Sequence, residues 1–213
     1  MVLEFAAVLA LAQRCAPRVA PATMLSIVQV ESRFDPMAIN VNGAADPPPA
    51  QTKDEAIRTA EALIRKGRSV DLGLGQINSK NLDWLGMSVA DAFDPCRNLA
   101  GAAKVLEAGY LSAARVAPQQ QALRMAFSAY NTGDHRRGFA NGYVARVERA
   151  VSQVVPALGG AYAAEPAAPS PSQLAQEIAA QLLSEGTPAP EQEPPRWVVF
   201  GRTSASPLLV FGR

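Results

Sequence analysis

Glu31 is a carboxylate in an unusual place. Met24, Ile27 and Val28 mark the apolar stripe of a helix, and Glu31 follows them by seven, four and three residues. At about 100° per residue, that spacing puts it on the same stripe. A charge facing a core must be paired, neutralised or set at the mouth of a cleft, because burying it alone is costly. Glu31 also lies in the last turn of its helix, where the negative dipole end opposes a second negative charge. Both effects push a carboxyl pKa upward, and a carboxyl group still protonated near neutral pH can act as a general acid. An ion pair with Arg33 or Arg14, or a place on the wet edge of the stripe, accounts for the same pattern without chemistry. Asp35 precedes Pro36 and reads as a turn former, while Asp71 is the weaker candidate for a second carboxylate.

Two other segments could bind a polar ligand. In Leu72-Gly-Leu-Gly-Gln-Ile-Asn78, Gly73 and Gly75 let the backbone approach a ligand closely, while Gln76 and Asn78 offer amides on one side of an extended piece. The segment is no phosphate loop: it lacks the Gly-Lys-Ser/Thr ending, and no clear strand precedes it. Ala129-Tyr130-Asn131-Thr132-Gly133 ends a helix with a phenol and an amide, where a core tyrosine and a C-cap asparagine would serve equally well. His135, the single histidine, lies in the polar run Asp134-His-Arg-Arg-Gly138 and reads as a surface residue. No nucleophile elbow accompanies it. One His and two Cys cannot close a Cys/His zinc site.

These residues need helices to hold them. Met1–Ala12 is apolar and contains Ala10-Leu11-Ala12, but Glu4 stands where a secretory signal carries basic residues. The segment therefore reads as a first core helix ending near Cys15, with a signal peptide weak or absent. Pro21 opens a second helix running towards Phe34, followed by an Ala38–Gly43 loop and the helix-breaking Asp46-Pro47-Pro48-Pro49. Thr52-Lys-Asp-Glu55 is a capping box for a helix ended by Gly67. Asp94-Pro95 starts a helix towards Arg115, Pro118–Asn131 forms another ended by Gly133, and Tyr143 to about Val155 forms the last. Residues 1–155 are thus expected to be the folded domain. Residues 156–213, rich in Pro and Ala, read as a flexible tail with a short helix at Gln173–Leu183 and a twice-occurring Val-Phe-Gly-Arg.

Composition narrows the function. Twenty Lys/Arg against nineteen Asp/Glu give a net charge of +1 over 213 residues, which argues against a nucleic-acid binder driven by bulk electrostatics. No apolar run approaches the roughly 20 residues of a membrane span, so no integral membrane segment is expected.

In this order the motifs resemble the lytic transglycosylase domain of the soluble-lytic-transglycosylase family, which shares the goose-type lysozyme fold. Glu31-Ser32-Arg-Phe-Asp-Pro-Met-Ala38 is similar to the family's catalytic Glu-Ser segment. Gly73-Leu74-Gly75-Gln76-Ile77 resembles its Gly-Leu-Met-Gln-Ile/Val segment, and Ala129-Tyr130-Asn131-Thr132-Gly133 its Ala-Tyr-Asn-x-Gly segment. Gly142-Tyr143-Val144-Ala145-Arg146-Val147 resembles its Tyr-Val-x-x-Val helix start. Together these cover about residues 15–155. Gly75 replaces the usual Met, which is expected to remove a side chain from the cleft floor. The Asp46–Lys66 stretch is an insertion in the minimal pattern. The chain looks closest to the small transglycosylases that accompany type IV secretion and conjugation systems, a subgroup to which Cys15 and Cys96 point. The two cysteines are either a reduced pair or a disulfide, the latter favoured in an oxidising periplasm.

The resemblance implies a mainly α, lysozyme-like domain with a substrate cleft, acting on peptidoglycan in the periplasm. Glu31 would protonate the bond between N-acetylmuramic acid and N-acetylglucosamine. It would then accept the proton of the muramoyl C6 hydroxyl as that closes to a 1,6-anhydro ring. Ser32 would orient Glu31 or contact the N-acetyl group, Gln76, Asn78 and Asn131 would bind sugar amides and hydroxyls, and Tyr130 would hold Glu31 through its hydroxyl. Tyr143 would be a further hydrogen-bond partner. None of these roles calls for a metal or an organic cofactor. The alternative is a glycan-binding assembly factor of the same apparatus, docking on secretion-system components through its C-terminal tail.

Overall fold

A computed structural model describes residues 2–163, with side chains through residue 159. The Gln173–Leu183 helix and the Val-Phe-Gly-Arg repeat lie outside the described residues. Within them, nine helices surround a small antiparallel sheet: α1 (Phe5–Cys15), α2 (Pro21–Glu31), β1 (Ile39–Val41), α3 (Lys53–Arg65), β2 (Val70–Leu72), β3 (Ile77–Asn78), α4 (Leu82–Leu85), α5 (Val89–Ala92), α6 (Pro95–Ala113), α7 (Gln119–Thr132), α8 (Arg137–Ala140) and α9 (Tyr143–Ala163). The fold is mainly α, as expected.

The central pair is α6 against α7, with α1 on α6 and α2 on α9. Met24, Leu25, Ile27, Val28, Leu99, Leu106, Phe127, Tyr143 and Val147 are all at most 1% exposed and form one continuous core. Caps follow the sequence signals. Asp94 accepts the Arg97 N–H and Pro95 takes the first helical position, while Gly133 ends α7 at φ 68°. Thr52 caps α3, but Glu55 reaches back to the Gln51 N–H rather than to Thr52 itself.

Four segments differ from the sequence expectation. Helix α2 ends at Glu31 rather than near Phe34, because Arg33 (φ 53°) and Phe34 (φ 67°) turn left-handed. Phe34 is held there by an edge-on contact with Phe5, centroids 6.2 Å apart, and by its carbonyl accepting the Leu3 N–H. Residues 39–41 form a strand rather than loop, and a strand, β2, does precede the glycine-rich segment. Helix α9 runs beyond Val155 to Ala163, passing through Pro156. Proline normally breaks a helix by removing an N–H. Here Ser152, whose carbonyl loses that donor, and Pro156 share the exposed face, while buried Val154 and Leu158 keep the apolar stripe seated on both sides.

Cys15 at the end of α1 and Cys96 in the first turn of α6 form a disulfide, Cα atoms 5.3 Å apart across a sequence separation of 81. A loop of that length constrains the unfolded chain by up to about 4.5 kcal/mol. Reduction is expected to lower the melting temperature clearly, measured by thermal unfolding with and without dithiothreitol, and an unchanged transition would contradict it.

Candidate active site

The sheet sorts its side chains by parity. In β1 and β2 the register pairs Ile39 with Leu72, Asn40 with Asp71 and Val41 with Val70, while β2 and β3 pair Asp71 with Asn78. Val41, Val70, Leu72 and Ile77 go into the core, which sends the alternate residues to the opposite face. Asn40, Asp71 and Asn78 therefore form a row across the sheet. The Asp71 carboxylate accepts from Asn40 Nδ2 at 3.2 Å, Asn42 Nδ2 at 2.9 Å and Asn78 Nδ2 at 2.6 Å. Asn40 and Asn42 carried a readable signal, the alternation Ile-Asn-Val-Asn, which a loop assignment hides.

The β2–β3 connection is a tight turn and not an extended piece: Gly73 has φ 72° and Gln76 φ 50°. Asn98, buried on α6, pins it from below. Its Oδ1 accepts the Gly75 N–H at 2.7 Å, and its Nδ2 donates to Leu72 O at 2.9 Å and Ala92 O at 2.7 Å. No sequence argument singled out Asn98, whose signal is only a polar residue on an apolar helix face. Asn98→Ala leaves these buried backbone groups unpaired and is expected to cost about 3 kcal/mol, read by chemical denaturation; a loss under about 1 kcal/mol would contradict the pinning.

Gly75 corrects another expectation. It does not belong to the cleft floor: an added Cβ would lie 2.8 Å from Ala102 Cβ and 2.9 Å from the Tyr130 hydroxyl oxygen. The missing side chain makes room for α6 and α7, not for a ligand.

A cleft of about 660 Å³ runs between this sheet and the helices, lined by Glu31, Asp71, Gln76, Asn78, Tyr130 and Asn131 among others. It adjoins a recess of about 700 Å³ where Arg137 and Asn141 join Asn42 and Asn131. Glu31 stands at the last turn of α2, and the Tyr143 hydroxyl donates to its Oε1 at 2.5 Å. Tyr143, at the start of α9, is 1% exposed.

Burial raises the Glu31 pKa to about 7; Tyr143's hydrogen bond opposes the rise, Asp71's charge adds to it, and Arg146 opposes it weakly. Arg146, rather than Arg14 or Arg33, is thus the arginine acting on Glu31. Its guanidinium lies 5.6 Å from the Tyr143 ring centroid. Burial also holds the Tyr130 and Tyr143 phenols well above the usual tyrosine range, with Glu31's charge adding to the effect, so both remain O–H donors.

The remaining expected residues divide by role. Tyr130 does not hold Glu31: its hydroxyl donates to Gly75 O at 2.6 Å and ties α7 to the hairpin turn. Ser32 is not among the cleft-lining residues, and its hydroxyl points back to the Val28 carbonyl at 3.3 Å, since the left-handed turn after it carries the chain away. Gln76 lines the cleft, but its amide nitrogen donates to Gly73 O and Ala38 O. Asn78 both supports Asp71 and caps the 79–81 turn by accepting the Lys80 N–H. Asn131 is exposed at the cleft and accepts from Asn141 Nδ2. Asp35 accepts the Met37 N–H as a turn former. His135 is half-buried in the turn before α8 and is not among the residues lining the cleft. Among the described residues no cluster of His, Cys, Asp and Glu could hold a metal ion.

A half-buried glutamate thus shares one cleft with the amides of the hairpin. The Transglycosylase SLT domain family matches residues 9–152. The chain belongs to that family. Among curated proteins, the SLT chain is 44% identical to Protein virB1 of Agrobacterium fabrum over 156 residues, covering 73% of this chain and 64% of the relative. It is 49% identical to the Type IV secretion system protein virB1 of Brucella abortus biovar 1 over 133 residues, 62% of this chain and 56% of that relative. It thus spans less than two thirds of the length of either. No solved structure gives a significant match. The match contains Glu31, Asp71, the 73–78 turn, Tyr130 and Tyr143, every part of the cleft described above.

Proposed function

We propose that this protein is a peptidoglycan lytic transglycosylase. It cleaves the β-1,4 bond between N-acetylmuramic acid and N-acetylglucosamine with formation of 1,6-anhydro-N-acetylmuramic acid, and opens the cell wall locally for a type IV secretion or conjugation apparatus. The observation that carries the reading is Glu31, a carboxyl group with a pKa of about 7 inside a polar cleft.

Near neutral pH a large share of Glu31 is protonated. Tyr143 donates to Oε1, so the acidic proton is carried on Oε2, which can deliver it to the glycosidic oxygen. The bond from the muramoyl C1 to that oxygen breaks, and the N-acetylglucosamine hydroxyl leaves with the proton. Positive charge develops at C1, and the Asp71 carboxylate on the sheet face is a source of electrostatic stabilisation for it. The muramoyl C6 hydroxyl then attacks C1 and gives its proton to Glu31, which restores the acid. An internal nucleophile gains from effective molarity and needs no bound water. Asn131, at the cleft's open side, and Gln76 and Asn78 on the hairpin wall supply polar contacts for the glycan. Action in the periplasm, where the Cys15–Cys96 bridge would persist, accords with this reading.

Digestion of purified peptidoglycan followed by mass spectrometry tests it. Muropeptides ending in the anhydro sugar are the expected products. Reducing-end products alone would make the enzyme a hydrolase, and no release of muropeptides at all would refute the activity.

A further inference from the structure

Trp84 has no part in the chemistry above, yet it lines the same cleft as Glu31 and is 54% exposed. A singly exposed apolar side chain is ordinary on a protein surface, so what distinguishes Trp84 is its place in the cleft. The residue is fixed rather than loose. Leu82 and Leu85 anchor α4 in the core at 6% and 7% exposure, and Gly86 ends it in a left-handed turn at φ 66°. The indole N–H donates to Asn81 Oδ1 at 3.1 Å, which orients the ring while using its polar edge. Phe139, another exposed aromatic, instead has the Arg124 guanidinium over its ring at 5.5 Å and is not among the cleft-lining residues. Lys80 and the Trp84-bound Asn81 line the same cleft, as do Ala108 and Gly109 of α6. A flat apolar platform set in a polar groove suits a ligand with one apolar face and a hydrophilic rim, which describes a pyranose ring.

We infer that Trp84 is a stacking platform for an uncharged N-acetylhexosamine ring of the glycan strand, forming a subsite that adds to binding and not to the chemical step. The subsite rests on the proposed glycan substrate but not on Glu31's acid role, and the two are separable by experiment. The chain has two tryptophans, and the other, Trp197, lies outside the described residues. Full-length protein carrying Trp197→Phe and Glu31→Gln therefore reports on Trp84 alone and does not turn over. Titration with N-acetylglucosamine hexamer is expected to quench and blue-shift its emission saturably. In the Glu31-intact protein, Trp84→Ala should raise KM on purified glycan strands about tenfold with kcat nearly unchanged, and Trp84→Phe should recover most of the loss. Trp84 emission that stays flat while the hexamer raises the melting temperature overturns the inference, as does an unchanged KM in Trp84→Ala or no binding by either readout. A wild-type chain that releases no muropeptides but shows the emission change would sink the proposed activity and leave the platform standing.

Discussion

Glu31→Gln is expected to reduce release of anhydro-muropeptides at least a thousandfold and, at the same time, to stabilise the protein at alkaline pH. The first effect follows from removing the only proton donor proposed for the leaving oxygen, since general acid catalysis alone contributes about 10²–10⁴-fold. The second follows from linkage. Glu31 has a folded pKa of about 7 against an ordinary glutamate value of 4.5, so the folded state favours the protonated form. Its contribution is fully present below the unfolded pKa and is lost as pH rises through 7. Above that, the half-buried carboxylate costs up to about 3 kcal/mol relative to a neutral group. Glutamine cannot ionise. The variant should therefore melt well above the wild type at pH 8 and approach it near pH 4. Equal melting temperatures across that range, or full activity in the variant, would remove the basis of the mechanism. The same titration predicts that wild-type activity falls above about pH 7, as the acid loses its proton.

The second large effect concerns two groups that adjust the pKa set chiefly by burial. Tyr143→Phe removes a buried hydrogen bond to a titrating carboxyl group, worth about 1.5–3 kcal/mol. A ten- to hundredfold fall in kcat is expected, because the acid loses the donor that fixes which oxygen carries the proton. Since that bond lowers the Glu31 pKa, its loss should also move the alkaline limb of the pH–activity profile upward. Asp71→Asn should move the same limb downward, because the Asp71 charge raises the pKa. Opposite displacements from two substitutions are hard to obtain from misfolding. Profiles of kcat/KM against pH for the two variants check the assignment, and shifts of the same sign would contradict it.

Much of the cleft was legible in the residues before any coordinates. The placement of Glu31 against Met24, Ile27 and Val28 is a matter of helical period, and periodicity survives folding because the core must bury one stripe. Caps at Asp94-Pro95 and Gly133 were equally plain, being local hydrogen-bond and φ requirements that the tertiary context rarely overrides. The end of α2 was not legible, because Ser32-Arg33-Phe34 carries no breaker. What stops the helix is Phe34 packing on Phe5, a contact between segments 29 residues apart in sequence.

Tyrosine roles show the same division. Sequence order brought Tyr130 and Tyr143 to the site together, and local pattern cannot say which hydroxyl reaches which oxygen. The crossing of α9 on α2 decided for Tyr143 and Glu31, while the packing of α7 under the hairpin sent Tyr130 to Gly75. Asp71 gained its three amide partners only when β1 paired with β2 and β2 with β3, since hydrogen bonds between strands depend on register. The amino-acid sequence by itself therefore determined the mainly helical architecture and the acidic group's place on an apolar stripe, because both depend on spacing along the chain. The partners that tune that group were decided by tertiary structure, because they join residues from separate elements whose approach no local period encodes.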